Sequence, residues 1–228
     1  MLKVVNVAKK FGELEALSGI SFEVRQGECV GIIGPNGAGK TTLFNIISGF
    51  MKPTVGKVEF MGFDVTGKPP HELVKRGIVR TFQVMKIFKT MTVKESLSVV
   101  NDNVGWLIDQ IGLSGKENNP VRDLPQGDLR RLSIAMALAA KPKLLLLDEP
   151  FSGLSPREGA ELGLVLESLR RNGLTMVIVE HKLRELFNHV SRVLVLNYGR
   201  LICEGSPEEV VENRKVVEAY LGVGYDGS

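Results

Sequence analysis

Residues 34–41 read Gly34-Pro35-Asn36-Gly37-Ala38-Gly39-Lys40-Thr41, after the apolar run Cys29-Val30-Gly31-Ile32-Ile33 and before Thr42-Leu43-Phe44-Asn45-Ile46-Ile47. A glycine, four residues and then Gly-Lys-Thr, set between a strand and a helix, is the spacing of a phosphate-binding loop. The glycines let successive backbone N–H groups curl around phosphate oxygens at angles that a β-carbon forbids. The helix behind them aims its positive end at the same anion. Lys40 supplies a mobile charge for the β and γ phosphates, and the Thr41 hydroxyl suits Mg²⁺. The competing reading is a Gly-rich turn beside an ordinary surface lysine. The loop predicts a protein that binds a nucleoside triphosphate, and the cofactors expected are ATP and Mg²⁺.

The rest of the composition agrees with an enzyme-like globular chain. At 228 residues it can bury a substantial core, and 43% hydrophobic with 24% charged residues is ordinary for a folded protein. A net charge of +3 does not mark a nucleic-acid binder, so no nucleic-acid partner is expected. Cys29 and Cys203 each sit in an apolar strand-like run, which favours buried free thiols over a disulfide or a metal site. No apolar run approaches the roughly 20 residues that a membrane helix needs, and the N-terminus is too polar for a secretory signal. The expected location is therefore cytoplasmic, with membrane contact only through another subunit.

Outward from the loop, two kinds of strand alternate with helices. Val4–Val7, Ile20–Val24 and Val58–Phe60 are short and partly alternating, as in a half-exposed antiparallel sheet. Leu144–Leu147 and Met176–Val179 are unbroken apolar runs, as in strands buried on both faces of a parallel sheet. Helices are expected over Asp128–Ala140 and Pro156–Asn172, the second with Ser155 as N-cap, Pro156 at its first position and Gly173 at its stop. A hairpin of Val193–Leu196 and Leu201–Glu204 turns through Asn197-Tyr198-Gly199-Arg200, and helices follow near Pro207–Glu212 and Arg214–Leu221. The pattern is α/β. A single domain over 1–228 is expected, with a core and β lobe from 1–84 and 128–228 and a small helical insertion at about 85–127 that carries Trp106.

Two further stretches carry chemistry. Leu144-Leu145-Leu146-Leu147-Asp148-Glu149-Pro150 puts two carboxylates at the end of a buried strand, where ligands of open α/β sheets sit. Asp148 can hold Mg²⁺ through its water shell, and Glu149 can orient or deprotonate an attacking water. Alone, such a pair is an ordinary solvated strand end. A phosphate loop in the same chain changes that reading. Met176-Val177-Ile178-Val179-Glu180-His181 places His181 at another strand end, whereas His71 and His189 lack such a setting. Gln83, closing Ile78-Val79-Arg80-Thr81-Phe82-Gln83, is by itself a loop amide.

The order of these stretches resembles the ATP-binding subunit of an ABC transporter over nearly the whole chain. The string is Gly34–Thr41, Gln83, Leu124-Pro125-Gln126-Gly127-Asp128, Asp148-Glu149-Pro150, Ser152-Gly153-Leu154-Ser155-Pro156 and His181. The resemblance implies Walker A, Q-loop, signature, Walker B, D-loop and switch-histidine segments, on a P-loop core with an antiparallel β lobe and a helical subdomain. It implies that Gly34 to Thr42, Lys40 included, bind the nucleotide and that Phe11 stacks on adenine. It implies that Glu149 polarises the attacking water, His181 contacts the γ-phosphate, and Thr41, Gln83 and Asp148 serve the metal, Asp148 through water. Gly127 and Asp128 would face a second subunit's nucleotide. Gly77-Ile78-Val79-Arg80-Thr81-Phe82-Gln83, Glu204-Gly205-Ser206-Pro207-Glu208 and Lys215–Gly222 resemble the branched-chain amino-acid importer group. That likeness implies an integral-membrane permease, a second ABC ATPase subunit and, indirectly, an extracytoplasmic binding protein as partners.

The signature departs from the family's usual Leu-Ser-Gly-Gly-Gln. Pro125 removes a backbone N–H, and Asp128 would bring negative charge toward a triphosphate. In the D-loop, Ser155 stands where aspartate is common. An unequal heterodimer follows as the expectation, in which the site using this chain's Gly127 is the slower, although a homodimer in which Gly127 suffices remains open. Two other functions share the loop. One is an ABC-type assembly or mechanical ATPase without transport, for which no long heptad run, second cassette or basic stripe is present. The other is a metabolite kinase, for which no acceptor-binding segment is present.

Overall fold

The computed structural model describes residues 1–81 and 90–221. The chain opens with β1 (Leu2–Phe11) and β2 (Leu14–Val24), paired antiparallel. The fully buried β3 (Cys29–Ile33) leads through the glycine loop into α1 (Lys40–Ile47). Next β4 (Val55–Phe60) returns to pair with β1, and β5 (Phe63–Asp64) closes a four-stranded antiparallel sheet in the order β2-β1-β4-β5. Then come α2 (Pro70–Arg76) and β6 (Ile78–Arg80), followed by α3 (Val93–Ser98), α4 (Val104–Gln110) and a 3-10 turn at Val121–Asp123.

The second half alternates as its pattern predicts. It comprises α5 (Gln126–Leu138), β7 (Leu144–Asp148), α6 (Pro156–Arg171), β8 (Thr175–Val179) and α7 (Leu183–Phe187). The hairpin of β9 (Arg192–Asn197) and β10 (Arg200–Gly205), then α8 (Pro207–Glu212) and α9 (Arg214–Leu221), complete it. The six-stranded sheet runs β10-β9-β3-β8-β7-β6, parallel except for β10.

The unbroken apolar strands are explained by what lies on each face. Leu145 and Leu147 pack into one core with Leu132 and Ala135 of α5 and Leu162 and Leu166 of α6. Leu144 and Leu146 pack into the other, with Leu43, Phe44 and Ile47 of α1 and the inner face of the β lobe. Successive side chains of a strand point to opposite faces, so a strand with a core on each side has no place for a polar residue. β1 behaves otherwise and alternates buried with exposed residues until Asn6, whose φ of 49° breaks the register.

Boundaries follow local chemistry. Ser155 caps α6 through a reciprocal pair with Glu158, with Pro156 at the first helical position. Helix α5 begins two residues before the expected Asp128, because Pro125 at the N-cap lacks only an N–H that the helix start leaves unbonded anyway. Both cysteines are free. Cys29 is buried, and burial pushes its thiol up to about 12, while Cys203 is half-buried.

Candidate functional site

The glycine loop leaves the sheet at a point with no room for a side chain. A Cβ on Gly34 (φ 152°) would lie 2.1 Å from the Leu196 carbonyl oxygen. On Gly39 (φ 101°) it would lie 2.7 Å from Leu17 Cδ2 and 2.8 Å from the Ala16 oxygen. Gly39 is also the N-cap of α1 and brings no side-chain cap, so the first-turn amides stay available to an anion. Lys40 is 6% exposed, and its Nζ donates to the carbonyls of Gly34 at 2.7 Å and Pro35 at 3.0 Å. Burial pulls the ammonium's pKa down, against the opposing charge of Glu149.

An open cleft of about 520 Å³ lies over this loop at the carboxyl ends of the parallel strands. It brings Phe11 together with Asn36 to Thr42, Glu149 and His181. Phe11 is half-exposed at the tip of the β1–β2 hairpin, with Lys9 Nζ 5.2 Å from its ring centre. Tyr198 lines the same cleft. Sequence reading placed it only in a turn, although an exposed aromatic in a strand-end turn was a usable signal. That turn is fastened down: Gly199 donates its N–H to the Ala38 oxygen at 3.0 Å, and Ser18 donates to the Gly199 oxygen at 2.8 Å.

The acidic pair divides at the end of β7. Glu149 sits in the left-handed region at φ 48°, and its N–H donates to the Val179 carbonyl at 2.9 Å. Non-glycine residues rarely adopt that region, and in such places surrounding structure holds the strain. Glu149 Oε1 stands 3.0 Å from His181 Nε2. Asp148 instead accepts on Oδ2 from Arg80 Nη2 at 2.7 Å, with side-chain exposures of 13% and 6%. His181 is steadied from behind by Glu180, which is 1% exposed and accepts from the N–H groups of Phe151, His181 and Lys182. Burial raises the Glu180 pKa, and these three N–H donors pull it the other way. Sequence reading named Arg80 and Glu180 only as members of runs.

The signature region differs from expectation in one respect. Asp128 does not present its charge outward. It is 2% exposed and ion-paired with Lys116 and Arg131, the latter one turn along α5. A carboxylate in the first turn of a buried helix start needs partners, and these two cations supply them. Gly127 donates its N–H to Glu158 Oε1 at 2.9 Å. Gln83 lies outside the described residues.

Among the described residues, no cluster of three or more His, Cys, Asp or Glu could cage an ion by itself. The Thr41 hydroxyl and Asp148 carboxylate nevertheless suit Mg²⁺, a hard cation that takes oxygen ligands and completes its shell with water and phosphate. Arg80 ties Asp148 to Asn45, one turn along α1 from Thr41. No helix among the described residues is long and apolar enough to cross a membrane.

Comparison with known proteins agrees on one family. Residues 17–152 match the sequence model of the ABC transporter family, and residues 200–226 match that of the branched-chain amino acid ATP-binding cassette transporter. The high-affinity branched-chain amino acid transport ATP-binding protein LivG of Salmonella typhimurium is 35% identical, over 97% of this chain and 98% of its own. BraF of Pseudomonas aeruginosa, described in the same words, is 34% identical over the same shares. Among solved structures, the ADP conformation of an ATP-binding cassette of an ABC transporter superposes with a TM-score of 0.90. It is 33% identical and covers 97% of this chain and 98% of its own.

Proposed function

The chain belongs to the ABC transporter family as an ATP-binding, ATP-hydrolysing cassette, and from that membership we propose that it energises a membrane importer for branched-chain amino acids or similar small polar metabolites. One observation carries the reading of the chemistry. The Glu149 carboxylate and the His181 imidazole meet at 3.0 Å on a cleft whose floor is the glycine loop.

In this reading ATP lies with its base against Phe11 and its phosphates over the amides of residues 36–41. Lys40 exchanges the carbonyls of Gly34 and Pro35 for the β and γ oxygens, which its partly desolvated ammonium meets at little cost. Mg²⁺ neutralises phosphate charge when bound, with Thr41 and Asp148 as its protein partners. Glu149 orients and deprotonates the attacking water. His181 reaches the γ-phosphate, positioned by the Glu180 contacts to its own N–H and its neighbour's. Gln83 would report the state of the site to the permease, which docks near the helical lobe of α3 and α4.

The position of Gly127 supports reading the site as composite. Gly127 belongs to α5, and its N–H is engaged by Glu158 of the same chain rather than facing this cleft. A second cassette would supply the signature that closes on Lys40. Loss of a glycine, a serine and one N–H from this chain's own signature supports an unequal heterodimer, peripheral on the cytoplasmic face of the membrane. Co-purification from the native membrane tests the whole reading. A multi-span permease, a different ATPase and an extracytoplasmic binding protein are expected. Recovery of soluble partners alone overturns transport, and recovery of two copies of this chain with the permease overturns the heterodimer.

A further inference from the structure

Arg80 is the least expected side chain around the site. It ends β6, is 6% exposed on its side chain, and its two terminal nitrogens serve two different elements. Nη2 donates to Asp148 Oδ2 at 2.7 Å, at the end of β7. Nη1 donates to Asn45 Oδ1 at 2.7 Å and to Ser48 Oγ at 2.9 Å, both on or just beyond α1. The ring centres of Phe44 and Phe50 lie 5.4 and 6.0 Å from its guanidinium carbon.

This geometry does more than fill space. A carboxylate at a strand end would ordinarily rotate in solvent, but Asp148 has one oxygen committed to a guanidinium that is itself pinned at its other side. The same guanidinium grips the helix whose first turn carries Lys40 and Thr41. Asp148 and Thr41 come from strands and helices far apart in sequence, and one planar fork fixes the distance between their elements. A lysine could not do so, because an ammonium is a point donor on a flexible stem while the guanidinium presents parallel N–H groups in a rigid plane.

We propose that Arg80 is a positioning residue for the divalent-cation site: it holds Asp148 in register with Thr41 and thereby sets how strongly Mg²⁺ strengthens nucleotide binding. The proposal rests on the reading of Asp148 as the carboxylate that serves Mg²⁺ through water. Groups that orient metal ligands from behind typically change metal affinity by about 10–100-fold when removed. Arg80 would act without touching metal, water or phosphate.

The test is a titration of the full chain with a fluorescent ATP analogue, once in EDTA and once across a range of Mg²⁺, followed by anisotropy. For Arg80→Gln the apparent Mg²⁺ affinity is expected to fall about tenfold, while nucleotide affinity in EDTA stays within about twofold. Arg80→Lys keeps the charge but not the fork, and is expected to recover less than half of that loss. Should Arg80→Gln fail to fold, Arg80→Lys carries the same comparison. Equal losses in EDTA and in Mg²⁺ overturn the proposal, because they mark general damage to the loop. So does an unchanged Mg²⁺ affinity. Asp148→Asn separates the layers: if it abolishes the Mg²⁺ effect while both Arg80 variants keep it, Asp148 retains its role and Arg80 loses its own. If Asp148→Asn itself keeps the full Mg²⁺ effect, the premise falls and the proposal with it.

Discussion

Gly127 donates its backbone N–H to Glu158 Oε1 across 2.9 Å, so the first turn of α5 is fastened to the first turn of α6. The same carboxylate accepts from the N–H and hydroxyl of Ser155, through Oε2 at 3.0 and 2.7 Å. One side chain therefore caps α6 and occupies the amide of Gly127 in the first turn of α5.

These contacts hold the Glu158 pKa at about 2, the Ser155 hydrogen bonds first and Gly127 after them. A folded value below the unfolded one means that the contribution is complete above the usual value of 4.5 and is lost as pH falls through about 2. Denaturant melts across that window should show stability falling more gently in Glu158→Gln than in the unsubstituted protein. Parallel curves would detach Glu158 from the acid response.

Replacing Glu149 by Gln preserves shape but removes the carboxylate beside His181, the proposed base. Nucleotide binding should persist within about twofold and turnover should fall by about 100-fold or more, as general-base loss typically costs. An ATP-bound dimer should accumulate on gel filtration. Undiminished phosphate release would take Glu149 out of the chemistry.

Glu180→Ala leaves three backbone N–H groups without their acceptor, that of Phe151 buried and those of His181 and Lys182 part-buried. A stability loss of about 3 kcal/mol is expected by chemical denaturation, since each orphaned buried donor costs about 1–3 kcal/mol and relaxation recovers part of it. Because the His181 N–H is among them, kcat should fall while KM for ATP changes little. A loss confined to stability would reduce Glu180 to a structural role.

Gly34→Ala sets a methyl carbon 2.1 Å from the Leu196 oxygen, at a φ that alanine avoids. The loop must move, and nucleotide affinity should drop by more than about tenfold, in line with the roughly 1–3 kcal/mol cost of such backbone strain. Gly37→Ala, in the same loop, is the contrast: it has a φ of 81° but nothing within 4 Å of its would-be Cβ, so the backbone penalty acts without the collision. Equal affinities in the two variants would mean that the collision at Leu196 is absorbed.

The parts legible from sequence are those whose causes are local. A glycine loop between an apolar run and a helix, a Ser155-Pro156 helix start, and a leucine run with no polar break each declare themselves within a few residues. The supports of the site do not. Arg80 meets Asp148 across 68 positions, Gly127 meets Glu158 across 31, and Phe151 meets Glu180 across 29. Each contact has a charged side chain on at least one side, and only the folded order of sheet and helices brings it to its partner. Asp128 was misread for a related reason. Its charge is read as directed toward a triphosphate, although Arg131 at one helical turn is a clue to an inward pair.

The leucines of β7 point alternately into the two cores, and β3, β8 and β9 do the same. The parallel sheet is thus a single wall shared by two rooms, one holding the nucleotide loop and its helix, the other the signature helix and its neighbours. Neither room can lose its furnishings without stripping one side of the wall, which leaves the opposite side facing a sheet no longer braced from behind. The two cores, sharing these strands, are then expected to melt together.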